Sequence, residues 1–163
     1  MLSLVVPVRN WPSERISTCL GSFLRLEGDT LNELLVVDFG SDRPVAIGRA
    51  DPRVRIVRVE ADVWSLAEAI NVGVLHTRGE VIAKTDADII IAAEAGPALD
   101  RAVNAVASGA TGLALSQAID LPETVGATEA FRASSDQLSA IGRVRPRWGQ
   151  GGLAIFSRFT WET

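Results

Sequence analysis

Tyrosine is absent from this 163-residue sequence, and cysteine, histidine and methionine occur once each. A lone cysteine, Cys19, cannot form an internal disulfide, and its place on an apolar helix face marks it as a packing residue. The single histidine, His76, falls near a predicted helix end and reads as a capping or solvated group rather than a metal ligand. Apolar runs all fall short of the roughly 18 residues of a membrane span. No basic leader with a cleavage site opens the chain, so a cytoplasmic soluble domain without a membrane span is expected. Basic blocks are missing too: 16 Lys and Arg stand against 20 Asp and Glu, a net charge of −4. Nucleic acid is therefore not an expected partner. Three nucleotide-fold signatures are also lacking. A dinucleotide oxidoreductase places Gly-x-Gly-x-x-Gly after its first strand, where Pro7-Val8-Arg9-Asn10 stands instead. There is no P-loop Gly-Lys-Ser/Thr, and no acidic residue follows the first strand as a phospho-accepting receiver requires.

What is present is ordinary globular material, 47% apolar and 22% charged. The length suits one domain, residues 1–163, with a sizeable core. Leu2 to Val8 is a continuous apolar run, the pattern of a strand buried on both faces, with Pro7 tolerated only at its end. A helix from Ser13 places Ile16, Cys19, Leu20, Phe23 and Leu24 on one face. Leu34-Leu35-Val36-Val37 is a second buried strand with Asp38 at its carboxyl end, and Val54 to Val59 a third. Ser65-x-x-Glu68 reads as a capping box. The helix it opens has Leu66, Ala69, Ile70, Gly73 and Val74 as its buried stripe, and Gly79 is its post-helical glycine. A strand over residues 81–85 follows. Pro97 then starts a helix that buries Leu99, Ala102, Val103 and Val106 and stops at Gly109. Leu113 to Leu115 is a short strand. Residues 119–147 are polar and loop-rich with one short helix over 136–141, a pattern typical of a binding loop or lid. Leu153-Ala154-Ile155-Phe156 is a last strand, and residues 157–163 begin a helix.

Strands alternating with helices predict an α/β fold with a mostly parallel sheet. Ligands in such sheets bind beyond the carboxyl ends of the strands, where Pro7 to Asn10, Asp38, Asp86 and Asp88 are expected to converge. The pair Asp86-Ala87-Asp88 closes the apolar run from Val81. At i and i+2 both carboxylates leave the strand on one face and raise one another's pKa unless a cation joins them. Mg²⁺ or Mn²⁺, which prefers oxygen ligands and keeps positions open for phosphates, is the cation that suits them.

Taken together, the strand exits resemble those of family-2 glycosyltransferases of the GT-A fold. The residues that carry the likeness are Pro7-Val8-Arg9-Asn10, Val37-Asp38-Phe39-Gly40-Ser41, Asn71-Val72-Gly73, Arg78-Gly79-Glu80 and Asp86-Ala87-Asp88, in order over residues 1–91. Gly151-Gly152-Leu153-Ala154-Ile155-Phe156-Ser157-Arg158 is similar to the segment that precedes the acceptor site in such enzymes. The resemblance implies an inverting, metal-dependent transfer of sugar from a nucleotide-diphosphate donor, with UDP the usual nucleotide, to a hydroxyl acceptor. It makes residues 1–91 the nucleotide-sugar and metal half and 92–163 part of an acceptor half. Pro7, Val8 and Arg9 would cradle base and ribose, and Asp38 would accept hydrogen bonds from them. Asp86 and Ala87 would lie by the ribose, Asp86 and Asp88 would hold the metal, Arg78 would be a phosphate neighbour, and Asn71 either joins the donor site or is a polar helical residue hydrogen-bonded to a nearby loop. Lys84 is either a phosphate neighbour or a side chain that snorkels into the opposite layer. Trp148 either stacks on an acceptor sugar or anchors packing. Trp11 and Trp64 are core residues first and pocket walls second.

Departures from the family pattern fall at Phe39, Arg43 and Ile89, where many relatives are acidic, and bear on donor identity. The acidic general-base motif expected after Arg158 is not reached. Asp120, Glu123, Glu129, Asp136 and Glu162 lack its context, so the catalytic base is unassigned. The alternative reading is therefore a non-catalytic nucleotide-sugar-binding module, or a shortened chain that binds donor without turning it over. Apolar surface left by a missing C-terminal layer, including Trp161, would be covered by a second copy, so a homo-oligomer is a further expectation.

Overall fold

Every residue of strand β1 (Leu2–Val8) is buried, as its unbroken apolar run requires. The computed structural model describes residues 1–48, 51–145 and 152–162; Trp148 and Gly149 to Gly151 lie outside the described residues. Helix α1 (Ser13–Leu24) leads to β2 (Leu31–Phe39), and β3 (Val54–Val59) to α2 (Leu66–His76). Then come β4 (Val81–Lys84), a 3₁₀ turn (Ala93–Ala95), α3 (Gly96–Ala107) and β5 (Leu113–Leu115). The chain continues through β6 (Ile119–Asp120), α4 (Ala127–Arg132), α5 (Ser135–Ile141), β7 (Arg143–Val144), β8 (Ala154–Ser157) and α6 (Arg158–Glu162).

Six strands form one sheet in the order β3-β2-β1-β4-β8-β5. β3, β2, β1 and β4 run parallel, and β8 alone is antiparallel to its two neighbours. One face carries Leu4, Val6, Leu34, Val36, Ala83 and Ile155 beneath α1 and α3. The other carries Val5, Leu35, Val37, Ile82 and Phe156 beneath α2. The mixed α/β sheet agrees with the sequence reading.

Several local expectations need correction. Pro7 stands inside β1, one residue from its end. Val5 turns its carbonyl toward β4, accepting from Thr85 N–H at 3.0 Å, and two residues on Pro7 turns the same way, past the last β4 residue. Its missing N–H therefore breaks no ladder. Leu66 is 41% exposed and is not part of the buried stripe, which is Ala69, Gly73 and Val74. Ser65 does cap α2, its hydroxyl accepting from Glu68 N–H at 3.3 Å. Gly79 is not a left-handed helix stop. The helix ends at His76 with an extended Thr77. Gly79 is instead a point of close approach: a Cβ there would stand 2.7 Å from Ser3 Oγ and 2.8 Å from Met1 O. Gly73 answers the same need inside α2, where a Cβ would come within 2.3 Å of Val5 Cγ1. Gly109, at φ +76°, stops α3 as expected.

Residues 119–145 hold more structure than their pattern shows. The two-stranded ribbon β6–β7 joins Ile119 to Val144 and Asp120 to Arg143. α4 precedes the expected short helix, and α5 carries a full capping box between Ser134 and Gln137. Trp161, on α6, stacks on Phe156 with ring centroids 5.1 Å apart and remains 40% exposed.

Candidate functional site

At the carboxyl edge of the sheet, the β1 and β2 exits are tied to one another. Asn10, in the left-handed region at φ 57°, a conformation asparagine tolerates, donates its backbone N–H to Ser41 Oγ at 2.9 Å. Its side-chain oxygen accepts from Asp42 N–H at 2.9 Å. Val8 is wholly buried and does not border the neighbouring concavity. Arg9 donates from Nη2 to Asp62 O at 2.9 Å. The two exits and the start of α1, with Trp11 among them, border a concavity of about 480 Å³.

Asp38 departs from expectation. Its carboxylate, expected to receive a ligand's donors, is 1% exposed and receives those of its own chain. Ser41 N–H donates to it at 3.3 Å, Val45 N–H at 3.0 Å and Arg58 Nη1 at 2.9 Å. Burial pushes its pKa up, but the hydrogen bonds and the Arg58 charge outweigh burial and hold it below the usual carboxylate range. A buried carboxylate must find partners within the chain, and β3 supplies the guanidinium because the strand register sets Asp38 beside Arg58.

Asp86 and Asp88 do not leave an extended strand. β4 ends at Lys84, and Asp86 O accepts from Ile89 N–H at 3.2 Å in a tight turn. Ala87 is turned into the core at 2% exposure, leaving Asp86 half-buried and Asp88 exposed. Lys84 Nζ meets Asp86 Oδ1 at 2.5 Å, so the lysine answers the aspartate rather than an opposite helix layer. The Cys19 thiol lies just beneath, donating to Asp86 O at 3.6 Å. Burial first, then the charges of Asp88 and Asp86, push that thiol up to about 12, so it stays protonated and unreactive.

Asp86, Ala87 and Asp88 line a cavity of about 970 Å³. Its walls come from the turn after β4, from α3 with Leu99, from α5 with Leu138, and from the β6–β7 ribbon with Asp120 and Arg145. Asp120 and Arg145 were not singled out as a pair from the sequence. Arg145 Nε donates to both Asp120 oxygens at 2.8 and 2.9 Å, and Nη2 stands 2.6 Å from Oδ1.

Two expected site residues lie elsewhere. Arg78 precedes β4, and its N–H donates to Glu33 Oε2 at 3.0 Å. In a parallel sheet that is the amino edge, opposite the aspartates. Asn71 is exposed midway along α2 and borders neither concavity. His76 Nδ1 sits 2.8 Å from Val72 O, the helix-end role expected of it. Among the described residues no group of three or more His, Cys, Asp or Glu side chains forms a cation cage. Two carboxylates with phosphate-completed positions still suit a hard divalent ion. No helix of the described residues is long and apolar enough to cross a membrane.

Comparison with known proteins places the arrangement. No curated protein matches the sequence. The chain is similar to the mannosyltransferase PcManGT from Pyrobaculum calidifontis, solved in complex with GDP-Man and Mn²⁺, at 21% identity and TM-score 0.63, over 99% of this chain and 45% of that one. It is also similar to S. aureus TarS 1-349 at 20% identity and TM-score 0.53, over 77% of this chain and 36% of that one. A 4-diphosphocytidyl-2C-methyl-D-erythritol synthase from Anaerococcus prevotii shares the fold at 10% identity and TM-score 0.60, over 98% of this chain and 72% of that one. The chain thus spans less than half the length of the two transferases. The profile described as Glycosyl transferase family 2 matches residues 3–118, well over half of the sequence and running from Ser3 within β1 past the end of β5. On that match and the shared GT-A architecture, the chain belongs to glycosyl transferase family 2.

Proposed function

We propose that this chain binds a nucleoside-diphosphate sugar, a UDP-sugar first, for inverting transfer to a hydroxyl acceptor, with Mn²⁺ or Mg²⁺ held by Asp86 and Asp88. The observation that carries the reading is the exposed Asp88 beside half-buried Asp86 at the mouth of a cavity of about 970 Å³. Support comes from two solved relatives, one titled as a complex with GDP-Man and Mn²⁺ and TarS as a complex with UDP-GlcNAc. A bound ion would stabilise charge on the departing diphosphate. This chain's own part is to hold that ion through two carboxylates, to damp the negative charge of Asp86 with Lys84, and to place the nucleoside near the Pro7 to Asn10 exit.

Inversion also needs a carboxylate to take the acceptor's proton. Asp120 faces the same cavity, but its hydrogen bonds with Arg145 hold its pKa below the ordinary range, which makes it a weak base. The second reading, a donor-binding module without turnover, is favoured by the engagement of the Asp120 carboxylate with Arg145.

Calorimetric titration of UDP and of GDP, with and without Mn²⁺, tests donor binding. The expected result is metal-dependent binding of at least one nucleotide, weakened at least about a hundredfold in Asp88→Ala. No binding under any condition contradicts the proposal. Release of UDP or GDP from the corresponding nucleotide sugars, followed over time, separates turnover from the binding module.

A further inference from the structure

Over its lining the cavity has a net charge of −2, which one divalent ion brings to zero. Asp86, Asp88, Asp120 and Glu123 all line it, against Arg15 and Arg145. A diphosphate brings at least two further negative charges, and its entry is repelled unless cations on the wall answer them. Lys84 is ion-paired to Asp86 and more enclosed, its side chain 15% exposed against 36% for Arg145. Arg15 lies on α1 with its guanidinium over the Trp11 ring, 5.7 Å from the centroid. Arg145 is placed differently. Its backbone N–H donates to Ala118 O at 3.0 Å, which extends the β6–β7 ribbon and fixes the residue over the cavity.

We infer that Arg145, set in place by the Asp120 carboxylate, is the cation that this cavity presents to the donor's diphosphate. The inference rests on the nucleotide-sugar reading above and names the group that meets its phosphates. A guanidinium fork matches a carboxylate and a phosphate with the same bidentate geometry, so the Asp120 pairing holds the fork ready for exchange. The Asp120 pair is itself a weak tie: the two side chains are 36% and 48% exposed, and exposed ion pairs contribute little to stability. The field around Arg145 is consistent with this placement. Hydrogen bonding and charge from Asp120 favour its protonated form and outweigh the opposing effect of burial, and the charges of Asp88 and Asp86 add to them. Arg145 and Asp120 both lie beyond residues 3–118, the stretch the family profile matches.

The test is calorimetric titration with Mn²⁺ of UDP, GDP and UMP into the whole chain and into Arg145→Ala and Arg145→Lys. Thermal melting of each variant serves as the folding control. Arg145→Ala is expected to weaken the better-bound diphosphate at least about tenfold, the range of a charge-assisted hydrogen bond. UMP should lose less, Arg145→Lys should recover part of the affinity, and the Mn²⁺ requirement should remain. Unchanged diphosphate affinity in Arg145→Ala overturns the inference and leaves the donor-binding reading standing. So does an equal loss for UMP and UDP, which would place Arg145 against another part of the ligand. Absence of nucleotide binding by the unaltered chain overturns both.

Discussion

The two edges of the sheet handle charge in opposite ways. At the amino edge Glu33 and Arg158 find their partners within the chain. Glu33, 5% exposed, accepts from Ser3 Oγ at 2.8 Å and Arg78 N–H at 3.0 Å, and pairs with Arg55. Arg158 donates to Val74 O at 2.8 Å, Thr77 O at 2.9 Å and Gly79 O at 3.1 Å, closing the end of α2. At the carboxyl edge Asp86 and Asp88 face a cavity, and Lys84 pairs with Asp86. The difference separates charge that builds the fold from charge positioned for something outside it. Asp38 shows that position alone does not decide: it stands at the carboxyl edge but is treated like Glu33, buried and fully engaged.

That contrast can be broken by substitution. Arg158→Ala has the largest expected effect, about 2–4 kcal/mol of stability, because it strips partners from several part-buried carbonyls at once. Nucleotide affinity, measured where the variant is still folded, should not change; a loss there would join the two edges. Glu33→Gln comes next, at about 1–2 kcal/mol near neutral pH, and it carries a pH signature. Burial raises the Glu33 pKa, but hydrogen bonds from Arg78, Ser3 and Arg55 outweigh it and the net is a lowering. A depressed folded pKa gives stability that is present above the unfolded value of about 4.3 and is lost as pH falls through the folded one. The melting difference between the two proteins should therefore be full at pH 7 and shrink below about pH 4. A constant difference would mean that the carboxylate's charge is not what matters. Asp88→Ala has the smallest expected effect on stability, within about 0.5 kcal/mol by chemical denaturation, despite its large effect on binding. A loss of 2 kcal/mol would place Asp88 among the structural charges.

The sheet was legible because its signal is repeated. Continuous apolar runs marked β1 and β2, and the limits of β3 and β5 fall where the pattern put them. The helical stripes of α1 and α3 likewise needed only periodicity. Asp86 and Asp88 were visible as carboxylates interrupting such a run. What failed needed geometry. The loss of Asp38 to Arg58 depends on the β2–β3 register, which pattern does not fix. Arg78 was misplaced although the parallel topology already implied the answer, since a residue just before a parallel strand lies at the amino edge. Asp120 and Arg145 meet through a ribbon of two residues per strand, too short to show alternation, and α4 at six residues is too short to show a stripe.

The most direct measurement is the position of Mn²⁺ in crystals grown with UDP or GDP, located by anomalous scattering at the manganese edge. The account predicts a peak at the carboxyl edge, coordinated by Asp88 and adjacent to Asp86. A peak at the amino edge beside Glu33, or nucleotide bound with the aspartates bare, would contradict it.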